Sequence, residues 1–174
     1  MRVPDIAGVD FTGLLPAGVE APNIIRMLSR TGVNMRPFWA FGMAFRDNDQ
    51  LSDRQRELVI LRVAALTRSE FERVQHEPMA RVAGCTDAEV AAALDLARDL
   101  DTVFAPDTAA LLRFVDDVVA SFGDPAAVEG VQPHFTDDQI ATFTLLIGHY
   151  VMTAMFLKTT DVPLDPPAVP PPAN

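Results

Sequence analysis

Apolar residues recur along this chain at intervals of three and four, and a repeated start signal punctuates them. Ser52 is followed by Gln55, Thr86 by Glu89 and Thr136 by Gln139, a spacing at which each side chain can accept from the orphan backbone N–H of the other residue at a helix start. Ser69 with Glu72 repeats it. These signals predict helices over about 52–66, 69–84, 86–98 and 136–158. A further helix over 23–30 lies between Pro22 and Gly32. Another, over 35–46, has Asn34 as its cap and Pro37 in its first turn, where proline is tolerated. One more over 107–122 ends at Gly123 and Pro125. No segment alternates as a strand does. The fold class is therefore all-α, a bundle of about six to seven helices. Residues 1–20, with Pro4, Pro16 and three glycines but no sustained period, read as an arm lying on the surface or on a neighbouring subunit. Residues 21–160 form one helical domain, and 161–174 a proline-rich, polyproline-like tail.

The chemistry concentrates in the helices over 52–66 and 69–84. Only Thr67 and Arg68 separate them, so they form an antiparallel hairpin. Glu57 lies about ten residues before that turn and His76 about eight after it; at roughly 1.5 Å per residue their heights agree within one helical turn. Glu72 is four residues before His76 and shares its face. From 58 to 66 the only charged residue is Arg62, so Glu57 heads a segment buried nearly all round, where a carboxylate needs cationic or donor partners. Two carboxylates and an imidazole converging on an apolar wall are the ingredients of proton transfer.

Plainer readings stand beside this one. Glu72 is also placed to cap its helix, Glu57 to face solvent where a negative charge suits the macrodipole, and His76 to be an ordinary half-buried histidine. Pro78 removes the donor to the carbonyl of Val74 and predicts a bend just past His76. Phe38, Trp39, Phe41 and Phe45 make an aromatic stripe, either core or the wall of an apolar pocket over His76. His149 and Tyr150 make either a buried hydrogen bond to one another or part of a pocket wall. His134, in the loop over 124–135, is expected to be exposed and uninvolved.

Charge and composition narrow the partners. A net charge of −10 in 174 residues argues against nucleic acid or an anionic membrane, since both need a basic patch. Hydrophobic residues make up 49% and the mean hydropathy is +0.15, high enough to predict that other subunits cover part of the surface. Cys85 is the only cysteine, which leaves no disulfide, no Cys-x-x-Cys and no cysteine zinc site and points to the cytoplasm; the first ten residues lack a signal peptide's apolar core. The eighteen residues 140–157 carry no Asp, Glu, Lys or Arg, but they include His149, Gly148 and three threonines, so a buried interface helix is expected rather than a membrane span. Three scattered histidines offer no metal site, and no cofactor is implied.

The hairpin resembles the carboxymuconolactone decarboxylase family, whose redox branch comprises the alkylhydroperoxidase D-like proteins. In that branch a helix bearing a glutamate precedes Cys-x-x-Cys, with a histidine four residues after the second cysteine and nineteen after the glutamate. Glu57 and His76 are nineteen apart, and the two cysteine positions fall on Ser69 and Glu72. The decarboxylase-like branch has a glutamate four before the histidine, as in Phe71-Glu72-Arg73-Val74-Gln75-His76, with Ala80 and Gly84 following. The similarity extends to Asn23-Ile24-Ile25-Arg26-Met27-Leu28, to Gly148-His149-Tyr150 and to Val162-Pro163-Leu164-Asp165, so it spans about residues 20–165. It implies an alkylhydroperoxidase D-like bundle assembled as a homotrimer or a pair of trimers, with each pocket near a subunit boundary.

The expected function is a cofactor-free lyase or isomerase acting on a small, mostly apolar acid or lactone, by decarboxylation or by proton transfer next to a carbonyl. His76 is the acid/base, with Glu57 and Glu72 setting its tautomer and relaying protons. Trp39, Phe38 and His149 are candidate pocket walls; Arg62, Arg73 or Arg81 is a candidate to hold a carboxylate. Two alternatives remain: a non-catalytic oligomeric binding or scaffold protein, and a thiol peroxidase, which lacks its cysteine pair here.

Overall fold

A computed structural model describes residues 1–5, 7–15 and 19–165. Among these there are seven α-helices and no strand: α1 (Asn23–Leu28), α2 (Met35–Ala44), α3 (Asp53–Thr67), α4 (Glu70–Val82), α5 (Asp87–Leu94), α6 (Pro106–Ser121) and α7 (Asp137–Thr160). The polyproline reading of the tail falls almost wholly on 166–174, outside the described residues.

Three start signals form as complete capping boxes, at Ser52, Thr86 and Thr136. The fourth does not. Ser69 occupies the cap of α4 but accepts no capping hydrogen bond, and Glu72 is turned inward instead. The helix expected over 23–30 ends at Leu28 and tightens into a 3-10 segment, Ser29–Asn34, because Gly32 takes a φ of 60° that breaks the α-helix. The helix expected to reach residue 98 stops at Leu94, where Asp95 is already extended. Through Pro78, α4 continues to Val82.

The central element is α3. Leu58, Val59, Ile60, Leu61 and Val63 are all fully buried, because their side chains point to opposite flanks that are both covered. On one flank Val59, Ile60 and Val63 pack with Leu111 and Phe114 of α6 and with Phe143, Leu146 and Ile147 of α7. On the other, Leu58 and Leu61 pack with Ala80 of α4, Val90 and Ala93 of α5 and Leu112 of α6. Each such side chain contributes about 1.5–3 kcal/mol through burial, so α3 is anchored rigidly and whatever it carries is held in place. Phe143 and Leu146 belong to this single-chain core. The outward face of α7 instead exposes Leu145, Met152 and Met155.

By length and composition α7 is apolar enough to cross a membrane, yet its inward face lines the core of this bundle. A smaller cluster holds the arm: Val9, Phe11, Leu14 and Leu15 pack against Ile25, Leu28 and Met35 of the same chain. The arm is pinned further by Arg36, which donates to the carbonyls of Asp10 and Thr12, and by the Trp39 indole N–H, which donates to the Leu14 carbonyl.

Candidate active site

Four helices, α2, α3, α4 and α7, converge where α3 and α4 run side by side. Glu57 Oε2 lies 2.7 Å from His76 Nδ1, so the separation in sequence is closed by the hairpin as expected. Glu57 is 1% exposed and has a second partner: Arg56 Nε donates to its other oxygen at 3.1 Å, and Arg56 in turn donates to Asp53 at 2.6 Å. The buried carboxylate is therefore compensated on both sides, as burial of a charge demands. A carboxylate in this state can only accept, so Nδ1 of His76 carries the hydrogen and Nε2 keeps its lone pair. His76 lines a cavity of about 220 Å³.

Glu72 lines the same cavity in a different state. It is 2% exposed and neither carboxyl oxygen has a hydrogen-bond partner among the described residues. Burial pushes its pKa up to about 8; the nearby Ser69 hydroxyl offsets this only in part and makes a formal hydrogen bond with neither oxygen. At neutral pH Glu72 is a carboxylic acid, not a carboxylate. The capping explanation of Glu72 fails, and so does the expectation that it sets the tautomer of His76, because Glu57 alone does that.

The remaining walls come from α2 and α7, with Phe38, Trp39, Gly42 and Arg46 on one side and His149 and Tyr150 on the other. The Tyr150 ring stands edge-on between the two imidazoles, 5.3 Å from His76 and 5.3 Å from His149 by ring centroid. Burial pushes its phenol well above the ordinary tyrosine range, with Glu57 and Glu72 adding to the effect. His149 makes no hydrogen bond to Tyr150; the two rings only touch. Its burial among aromatic rings lowers its pKa to about 4.

The three expected carboxylate holders lie elsewhere. Arg62 is 3% exposed and committed to Asp116 through two hydrogen bonds of 2.6 Å, with further bonds to the carbonyls of Ala93 and Asp95. Its charge serves the core, since a buried guanidinium must be paired. Arg73 bonds Glu70 at 2.7 and 2.5 Å and also Glu77, all on the outer face of α4. Arg81 likewise pairs with Asp87. The arginine that does line the cavity is Arg46, exposed and without an ion pair among the described residues. Nothing in the sequence marked it out from the other arginines. Gly42 did carry a signal, since a lone glycine inside an aromatic helix often marks a close approach. Arg56 carried none, because adjacent residues on a helix do not normally face one another.

Residues 34–117 match the carboxymuconolactone decarboxylase family. This segment belongs to that family. It contains α2 to α5 and most of α6, hence Glu57, Glu72, His76 and the aromatic stripe of the carboxymuconolactone decarboxylase domain, whereas α7 with His149 and Tyr150 lies beyond it. Two solved structures extend the likeness of fold. One is an uncharacterized peroxidase-related protein from Ralstonia eutropha JMP134 with an alkylhydroperoxidase AhpD core: TM-score 0.79, 18% identity, 95% of this chain and 91% of that one. The other is a protein of unknown function from Agrobacterium tumefaciens, named as a candidate antioxidant defence protein AhpD: TM-score 0.71, 18% identity, 79% of this chain and 94% of that one. The fold is thus AhpD-like. No curated protein matches the chain.

Proposed function

We propose that this protein is a proton-transfer enzyme, a lyase or isomerase working next to a carbonyl group. The observation that carries the reading is the difference between the two glutamates on the hairpin. Glu57 is ion-paired and fixes the His76 tautomer, which leaves Nε2 as a base bearing on the cavity. Glu72 is a neutral acid in the same cavity, pushed up to about 8 by burial. A base and a neutral acid lining one cavity are what removal and return of a proton require. His76 takes the proton from the carbon beside the carbonyl, and Glu72 donates to the oxygen on which charge collects. Decarboxylation fits the same groups, because loss of CO2 leaves an enolate to be protonated. Arg46, at the cavity wall, is the residue placed to meet a substrate carboxylate.

A thiol route has little support. Cys85 is 5% exposed and burial raises its thiol pKa, the reverse of what a nucleophilic thiol needs. A binding protein without turnover is the competing reading, and exchange of substrate protons separates the two. In deuterated water, with β-keto acids and unsaturated lactones as probes followed by NMR, the protein is expected to exchange the carbon-bound proton or release CO2. His76→Ala should keep the helical circular dichroism spectrum and lose about 10²–10⁴-fold in rate. Full activity in that variant removes His76 from the mechanism. Binding of the probes by the wild-type chain without any exchange favours the binding protein.

A further inference from the structure

His149 takes no part in the Glu57–His76 pair, yet its surroundings define its chemical state closely. It is 6% exposed, and the rings of Phe38, Phe41 and Phe45 lie 4.9, 5.2 and 5.9 Å away by centroid. Its Nδ1 is sealed from solvent and makes no hydrogen bond among the described residues. An orphaned N–H in an interior is rarer than an orphaned acceptor, so Nδ1 holds the lone pair and Nε2 carries the hydrogen. That Nε2 abuts Gly42: a Cβ built on the glycine would stand 2.7 Å away. Both residues line the cavity, so the missing side chain at Gly42 is what leaves the Nε2–H room there. Glu72 lines the same cavity, its carboxyl buried and both oxygens without a partner among the described residues. The cavity therefore presents two neutral donors that the protein itself leaves without an acceptor, and buried donors of this kind are costly unless a ligand answers them.

We propose that Glu72 and His149 together form a two-donor cradle for the oxygen of an enolisable carbonyl compound, so that the cavity holds its ligand as the enol or enolate and accepts phenols as stable mimics. The chemistry rests on the proton-transfer reading; the recognition of the oxygen does not. In the step, His76 Nε2 takes the proton from the carbon beside the carbonyl, and the C–H pair becomes the carbon–carbon double bond. The carbonyl π pair moves to oxygen, which accepts from the Glu72 O–H and the His149 Nε2–H. The proton on His76 then returns to carbon, and the oxygen pair re-forms the carbonyl. Neutral donors suit this task, since they interact most strongly with charge that develops during the step rather than with charge already present.

The test is equilibrium binding of phenol, 4-nitrophenol and 3,4-dinitrophenol, read by calorimetry and, for the nitrophenols, by visible absorbance. Wild-type protein should bind them, more tightly as the phenol becomes more acidic. His149→Phe, which keeps the aromatic volume and removes the donor, should weaken the nitrophenols by about 10–100-fold, the range for one hydrogen bond to a charged acceptor. Gly42→Ala, which forces the imidazole from its place, should do the same. His149→Gln, which keeps an N–H at similar reach, should stay within a few fold. Absence of phenol binding to the wild-type chain overturns the proposal, as does unchanged affinity in Gly42→Ala and in His149→Phe; should His149→Phe not fold, Gly42→Ala decides. The two readings fail separately: His149-dependent phenol binding without proton exchange leaves the cradle and removes the enzyme, whereas exchange with His149-independent phenol binding leaves the enzyme and removes the cradle.

Discussion

Replacing Glu72 by glutamine should change how the stability of this protein depends on pH more than it changes the stability at any one pH. In the folded chain the Glu72 carboxyl is held near 8 by burial, against an ordinary value of 4.5. Between those values the unfolded chain has released the proton and the folded chain has kept it, so the unfolded state binds fewer protons and stability falls as pH rises. The contribution is fully present below about pH 4.5 and is lost as pH passes through 8. At about 1.4 kcal/mol per pH unit, the loss across the window is on the order of 5 kcal/mol. His149 works in the opposite sense lower down. Its pKa is depressed to about 4 from 6.5, so its contribution is present above 6.5 and lost as pH falls toward 4. Between pH 4.5 and 6.5 the two effects oppose each other, and from 6.5 to 8 Glu72 acts without that opposition.

Glu72→Gln has nearly the same volume and no ionisation, so the difference between wild type and variant isolates the carboxyl. The amide brings an unpartnered donor of its own, a cost of about 1–3 kcal/mol that does not vary with pH. Urea unfolding at pH 5, 6, 7 and 8 should therefore show the variant gaining on the wild type by up to about 1.4 kcal/mol per pH unit from 5 to 8. A difference that stays constant across this range would mean that Glu72 is ionised and paired in solution, and the assignment of Glu72 as the acid would fall with it.

Gly42→Ala should lower stability by about 1–3 kcal/mol, seen as a drop in melting temperature, because the new Cβ would lie 2.7 Å from His149 Nε2 in a packed site. Cys85 should react with a thiol reagent such as DTNB only at the rate of unfolding, since it is buried and its thiol pKa is raised; fast labelling of the native protein refutes this. On the outward face of α7, Leu145→Glu or Met155→Glu should leave the fold intact and dissociate the expected oligomer, measured by light scattering, whereas Phe143→Glu should unfold the chain outright. A wild-type mass near 18.9 kDa refutes the oligomer.

Much of this was legible before the structure, and the parts that were not share a physical cause. Helices with side-chain caps announce themselves locally, and the boxes at Ser52, Thr86 and Thr136 formed as read. The meeting of Glu57 and His76 was legible because a two-residue turn leaves the hairpin little freedom. What local pattern cannot carry is competition between partners. Ser69 and Glu72 have the spacing of a box, but the cavity draws the glutamate inward, and nothing in a four-residue window reports a cavity. Arg62 read as a free cation in an apolar run because its partner, Asp116, lies 54 residues away on another helix. Arg46 escaped notice for the opposite reason: it lines the site from the end of α2, where sequence shows only one more surface arginine.

The two glutamates show why residue identity alone does not assign a role. Both are buried to within 2% on adjacent helices of one hairpin. Beside Glu57 stand a guanidinium and an imidazole, so its charge is answered and it can hold His76 in one tautomer. Among the described residues no cation bonds Glu72, and its remaining recourse is to keep its proton. In the redox branch that the hairpin resembles, cysteines stand at the positions of Ser69 and Glu72. A site that desolvates its occupant raises a thiol pKa as it raises that of a carboxyl, so a thiol here would stay protonated as well unless a base drew the proton off. The glutamic acid thus keeps a proton at the spot where the thiol would hold one, but it gives up the sulfur that makes and breaks disulfides. On the proposed reading, what is left is a proton donor beside a base on one wall of an aromatic cavity, and that is a reason to look for carbon acids rather than peroxides as ligands.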